Sequence, residues 1–153
     1  MRNIYKMLIL LSFAACNEKV ELEKLSVSEN LKREINNASN ELGIICYFQG
    51  DCSICYGNIM NINKNFSDTP LIIITQATDT VLINYNLDKI DFKGKLIIDS
   101  TALFYKKNEN ILKDNKLLLV NPNYDILDKS KFLMDNEIIE KFKYTIINYD
   151  KEQ

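Results

Sequence analysis

The chain has 153 residues, 46% of them hydrophobic and 26% charged, with 19 basic against 21 acidic side chains, a formal charge of −2 and no histidine. The acidic balance, with no stripe or cluster of Lys and Arg to neutralise phosphates, excludes a nucleic-acid surface. Without histidine there is no Ser-His or Cys-His catalytic pair and none of the imidazole ligands of catalytic zinc or blue-copper sites.

The first residues read MRNIYKMLILLSFAAC: Arg2 and Lys6 precede an apolar run from Met7 to Ala15, and the small pair Ala14-Ala15 stands directly before Cys16. A membrane-spanning helix needs about 20 apolar residues. This run is far shorter and ends in the small residues that a signal peptidase accepts. The segment Phe13-Ala14-Ala15-Cys16 resembles a lipobox, with Phe13 where leucine is usual. The resemblance implies that residues 1–15 are a lipoprotein signal peptide and that Cys16 is the acylated N-terminus of the mature chain. Residues 16–25 are then a polar tether and residues 26–153 a single domain. The implied location is the cell envelope, as a membrane-anchored lipoprotein facing the periplasm or the exterior. An ordinary secreted protein and a buried apolar N-terminal strand are the alternatives. Removal of residues 1–15 takes away Arg2, Lys6 and no acid, so the formal −2 becomes −4.

After the tether, Ser26 followed three residues later by Glu29 has the form of a capping box. Leu31, Ile35, Ala38 and Leu42 then make an apolar stripe at helical spacing, with Gly43 placed to stop it. The run Ile44-Ile45-Cys46-Tyr47-Phe48 is short, apolar and rich in strand formers, as a strand buried on both faces is. Cys52-Ser53-Ile54-Cys55 follows almost at once. From there Cys52, Cys55, Ile59, Ile62 and Phe66 recur at helical spacing behind Asp51, a good N-cap residue, so the CxxC opens a helix. Pro70 introduces a strand at Leu71–Ile74, and a weakly periodic helix is expected over residues 78–87. Further strands are expected at Leu96–Ile98 and Leu117–Val120. The turn residues Asn121-Pro122-Asn123 after the latter, with a short strand near Ile126, suggest a hairpin. Asp135 caps a last helix whose buried stripe is Ile138, Ile139, Phe142 and Ile146. Strands separated by helices indicate an α/β layered fold.

With Cys16 assigned to lipid, three thiols remain, and Cys52 with Cys55 is the natural pair, able to bond across the first turn of a helix. The unpaired N–H groups and partial positive charge of that helix end stabilise Cys52 as a thiolate, the attacking species in exchange. Structural zinc needs four Cys or His ligands, and the chain offers three cysteines in a compartment that favours disulfides. No metal or cofactor is expected.

The order helix, strand, CxxC-helix, strand, further α/β elements, hairpin and final helix resembles the thioredoxin superfamily. GIICYFQGDCSICYGNI is similar to that family's strand-to-CxxC-helix unit, and the long stretch from Thr75 to Asn115 is similar to its TlpA-like and peroxiredoxin-like branch. The resemblance spans residues 26–149 in element order and residues 44–59 in motif detail. It implies a thioredoxin-like fold, a central mixed β-sheet flanked by helices. Cys52 is then the exposed attacking thiol and Cys55 the resolving thiol one turn in. The implied function is that of a membrane-tethered thiol-disulfide oxidoreductase working through a mixed disulfide. Its partners are protein thiols or disulfides of the envelope, an inner-membrane thiol electron carrier among them. Several positions depart from the family pattern. Cys46 occupies the place of a buried acid and is expected to be a small core residue. Asp51 replaces a tryptophan, the Glu-x-Pro that often follows a TlpA-type pair is absent, and the cis-proline position falls near Asn115. Those departures keep open a non-catalytic binding or structural module with Cys52–Cys55 as a staple. A peroxiredoxin needs threonine three residues before its reactive cysteine, where Gln49 and Cys52 stand for Cys52 and Cys55.

Overall fold

A computed structural model describes residues 21–36, 41–49, 52–76, 79–131 and 135–151. The expected signal peptide, Cys16, most of the tether, Ala38 and Asp51 lie outside the described residues. The elements in chain order are α1 (Glu29–Asn36), β1 (Gly43–Phe48), α2 (Ser53–Asn65), β2 (Leu71–Thr75), α3 (Thr80–Lys89) and β3 (Lys95–Ile98). They continue with α4 (Leu103–Lys107), α5 (Glu109–Leu112), β4 (Leu117–Val120), β5 (Ile126–Ser130) and α6 (Asn136–Lys151).

The strands form one mixed sheet in the order β3-β2-β1-β4-β5. The pairs β1/β2 and β2/β3 are parallel, whereas β1/β4 and β4/β5 are antiparallel. The central strand β1 is buried along its whole length, which is why its sequence is continuously apolar rather than alternating. Its side chains still divide by the period of two: Ile44, Cys46 and Phe48 enter a core with α2, α3 and α6, while Ile45 and Tyr47 enter a second core on the other face. Where β3 begins, Gly94 is required by close approach, because a Cβ there would lie 2.1 Å from the Leu71 carbonyl oxygen.

The first helix differs from its sequence reading at both ends. Its cap is Ser28, whose carbonyl accepts from the Lys32 N–H at 2.8 Å and whose Oγ accepts from the Leu31 N–H at 3.4 Å. Ser26 instead donates its N–H to Asn108 Oδ1 at 2.7 Å and accepts from Asn108 Nδ2 at 2.9 Å. Asn108, 1% exposed, also donates to the Phe104 carbonyl at 2.8 Å, so one buried amide closes the gap between the N-terminal segment and the α4–α5 corner. At the other end, Gly43 does not stop a helix but begins β1, paired with Val120. Leu31 and Ile35 pack in one core and Leu42 in the other. The seven-residue interval from Ile35 to Leu42 therefore crosses from one side of the sheet to the other.

The end of the expected tether is also docked. The Leu25 N–H donates to the Tyr124 carbonyl at 2.9 Å, and the Ile126 N–H to the Glu23 carbonyl at 2.7 Å. Lys24 pairs with Asp125 and Lys129 with Glu23. Residues 23–25 thus cover the outer edge of the sheet at the start of β5, satisfying N–H and C=O groups that an open edge would present to other chains.

Candidate disulfide redox site

The chain leaves β1 at Phe48 and enters α2 at Ser53, so the CxxC stands at the C-terminal end of the central strand. The N-cap of α2 is Cys52, one residue later than the Asp51 expected from the sequence. Its extended backbone lets the Cys52 carbonyl accept from the Cys55 N–H at 2.9 Å and the Tyr56 N–H at 3.3 Å, while Cys52 Sγ accepts from the Cys55 N–H at 3.2 Å. A sulfur thus does the work that Ser or Asp does at ordinary helix starts. Cys52 and Cys55 form a disulfide with a Cα–Cα distance of 5.1 Å.

The two sulfurs sit in different surroundings. Cys55 is buried, whereas Cys52 is partly exposed. Both pack against the core that holds Cys46, Phe48, Tyr56 and Ile59. The Phe48 and Tyr56 rings meet edge to face at 6.2 Å. Of the two bonded sulfurs, Cys52 is therefore the one open to solvent and Cys55 the one enclosed by apolar groups. The helix start supplies unpaired N–H groups and the positive end of a 13-residue dipole at Cys52.

Cys46 is the free third thiol. It is fully buried, and burial pushes its pKa well above the ordinary range, so it stays protonated where exposed thiols ionise. This agrees with its expected role as a small core residue. Because its pKa is raised by folding, the stability it contributes is intact below the unfolded thiol value of about 8.5 and is lost as pH rises above it. With the disulfide intact, the unfolding free energy from urea titration is expected to fall as pH goes from 8 to 10, by as much as about 1.4 kcal/mol per pH unit. Cys46→Ala should flatten that slope, and an equal slope in both proteins would contradict the assignment.

Opposite the disulfide-bearing end of β1, the strand β4 begins after Asn115 and Lys116. Asn115, near the expected cis-proline position, donates both its backbone N–H (3.1 Å) and Nδ2 (3.2 Å) to the Ile111 carbonyl. No cis peptide bond occurs among the described residues. The Lys116 carbonyl accepts from the Tyr47 N–H at 2.8 Å, which continues the β1/β4 register and turns the Lys116 side chain to the face away from Cys46 and the disulfide. Its ammonium donates to the Leu112 carbonyl at 2.5 Å and lies 5.2 and 5.5 Å from the centroids of Tyr47 and Tyr105. The Tyr47 hydroxyl accepts from Gln76 Nε2 at 2.6 Å, and burial pushes its pKa up to about 12. Sequence reading missed this cluster, because Tyr47, Gln76, Tyr105 and Lys116 are brought together only by sheet order.

No protein-family model and no curated protein matches the sequence. Solved structures do match its fold. The thioredoxin domain of a thiol-disulfide oxidoreductase from Bacteroides vulgatus superposes with a TM-score of 0.56 at 12% identity, over 73% of this chain and 84% of that one. A secreted disulfide oxidoreductase of Mycobacterium tuberculosis gives 0.52 at 6% identity over 74% and 85%. The bacterioferritin comigratory protein of Xanthomonas campestris, studied for alkyl peroxide reduction, gives 0.55 at 9% identity over 75% and 83%. With a mixed five-stranded sheet flanked by helices and a CxxC at the start of α2, the chain has the thioredoxin-like fold.

Proposed function

We propose that the chain is a thiol-disulfide oxidoreductase of the cell envelope, held at the membrane through acylated Cys16, that exchanges disulfides with protein partners. The observation that carries this reading is the unequal burial of the two bonded sulfurs at a helix N-terminus, Cys52 partly open and Cys55 enclosed. In the oxidised form, a partner thiolate attacks Cys52 Sγ. The new S–S bond forms as the Cys52–Cys55 bond breaks, and Cys55 leaves as the thiolate. The partner's second thiolate then attacks its own bridged sulfur, the bond to Cys52 Sγ breaks and Cys52 leaves as a thiolate, so two electrons have passed from the partner dithiol to the Cys52–Cys55 pair. Run backwards, the reduced pair delivers those electrons to a partner disulfide, with Cys55 resolving the mixed disulfide.

A non-catalytic module is the second reading, and Asn115 in place of proline favours it. As a staple, however, the bond closes a loop so short that its chain-entropy contribution is only about 2 kcal/mol.

One experiment tests the anchor and the exchange together. The natural protein and Cys16→Ser are produced in a bacterial host with labelled fatty acid and then assayed, in reduced form, for reaction with glutathione disulfide. Label and membrane retention are expected for the natural protein only, with exchange in both. Undiminished labelling of Cys16→Ser would contradict the anchor, and no exchange by either protein would contradict the oxidoreductase.

A further inference from the structure

We infer that the partner's chain, when its cysteine is joined to Cys52, runs across the exposed outer faces of α2 and α3, and that this surface selects apolar over acidic sequence around that cysteine. The inference rests on the exchange reading above. It differs from a placement against the β4 side of the disulfide, where Asn115 stands.

Both helices begin at the same end and on the same face of the sheet, since each follows a parallel strand and both contribute to one core. The side of α2 turned toward the loop after α3 is marked by Asn63, whose Nδ2 donates to the Asp91 carbonyl at 3.1 Å and whose Oδ1 accepts from the Lys93 N–H at 3.3 Å. Met60 and Tyr56 precede Asn63 by three and seven residues and so share its side of α2. On α3, Ile83 and Leu87 point into the core, which leaves Val81 and Tyr85 outward. Val81 is 78% exposed, Tyr85 56% and Met60 53%, with Leu82 beside them. Five of the nine exposed large apolar side chains among the described residues belong to these two helices.

Charge decides what such a surface accepts. In a chain that is 26% charged, none of the residues from Cys52 to Asn63 and none from Thr80 to Leu87 carries a charge. The first cation on this side is Lys89, whose ammonium lies 4.2 Å from the Tyr85 ring centroid and closes the far end. An acidic partner side chain laid here would lose water, meet no cation before Lys89 and face the Asp79 carboxylate that caps the start of α3, whereas apolar side chains gain contact area. The occupant follows from the bond itself: a disulfide to Cys52 holds the partner's Cα within about 7 Å of the Cys52 Cα, so the flanking partner residues must run over the helix ends around it.

The test compares two symmetric peptide disulfides, one with Leu and Val around the cysteine and one with Glu, as oxidants of the reduced chain. Attack by the Cys52 thiolate releases one peptide thiol, and attack by Cys55 on Cys52 Sγ releases the second, so each disulfide takes up two electrons. The apolar peptide is expected to react about tenfold faster, the equivalent of about 1.4 kcal/mol. The double variant Val81→Lys/Tyr85→Lys, which removes apolar contact and offers the Glu peptide a counter-charge, should bring the ratio close to one or below it, and Tyr144→Lys on the exposed side of α6 should leave it as it was. A ratio near one in the natural chain, or a ratio unaffected by the double variant, would overturn the surface while reaction with glutathione disulfide upheld the exchange chemistry. Inertness toward glutathione disulfide as well would overturn both. If the double variant instead abolishes self-association, or binding to neutral phosphatidylcholine vesicles, the surface belongs to a second copy or to lipid, and the inference fails.

Discussion

Cys55→Ser is expected to accumulate covalent complexes with envelope proteins, visible as high-mass, reductant-sensitive bands, where the unsubstituted chain shows few and Cys52→Ser almost none. The asymmetry follows from access and from charge. Cys52 is the partly exposed sulfur at the helix cap, where backbone N–H groups and the dipole favour its thiolate. Cys55, 6% exposed, is shielded from any partner but stands in bonding contact with Cys52 Sγ. Removing its thiol leaves the mixed disulfide without its internal attacker, so the intermediate persists until an outside thiol reaches it. Trapping by Cys52→Ser at the level of Cys55→Ser would mean that the roles are reversed. No trapping by either variant would favour the module reading that Asn115 suggests.

The second large effect concerns the support of the CxxC helix. Phe142 of α6 is fully buried and meets Phe66, at the end of α2, edge to face with centroids 6.4 Å apart. Phe142→Ala removes that contact and leaves a cavity in the close-packed core that α2 and α6 share with the sheet. The expected loss is about 3–5 kcal/mol, a large share of the roughly 5–15 kcal/mol that holds a domain folded. Urea unfolding measures it, with Tyr144→Ala, 70% exposed on the same helix, as the comparison, expected to change stability by no more than about 0.5 kcal/mol. A loss below 1 kcal/mol for Phe142→Ala would show that α6 does not carry the floor of the site.

The parts of the molecule that a local pattern can encode were legible in the sequence. The continuous apolar run of β1, the 52-55-59-62-66 spacing of α2, the Asn121-Pro122-Asn123 hairpin and the Asp135 cap all stand where their periodicity and turn chemistry place them. The Asp135 cap accepts from the Ile138 N–H at 2.9 Å. What was not legible depends on partners distant in sequence. Ser26 is drawn from its expected capping role by Asn108, 82 residues away. Residues 23–25 cease to be tether because β5 offers them an edge. Leu42 fits a helical stripe by spacing, yet it packs in the other core as the residue that leads directly into β1 at Gly43. In the stretch before the hairpin, α4 has only five residues, and its start is held by Asp99, whose carboxylate accepts from the Leu103 and Phe104 N–H groups at 2.9 Å each. A helix that short leaves no periodicity to read.

The central claim, that Cys52–Cys55 is a working redox bond, is tested most directly by its reduction potential, measured by equilibrating the chain in dithiothreitol buffers and counting alkylated thiols by mass. Stabilisation of the Cys52 thiolate by the α2 N-terminus favours the reduced form, and the short loop contributes little to holding the oxidised one. The account predicts a value above about −300 mV, in the range of exchanging disulfides, and a value well below it, as structural disulfides have, would contradict it.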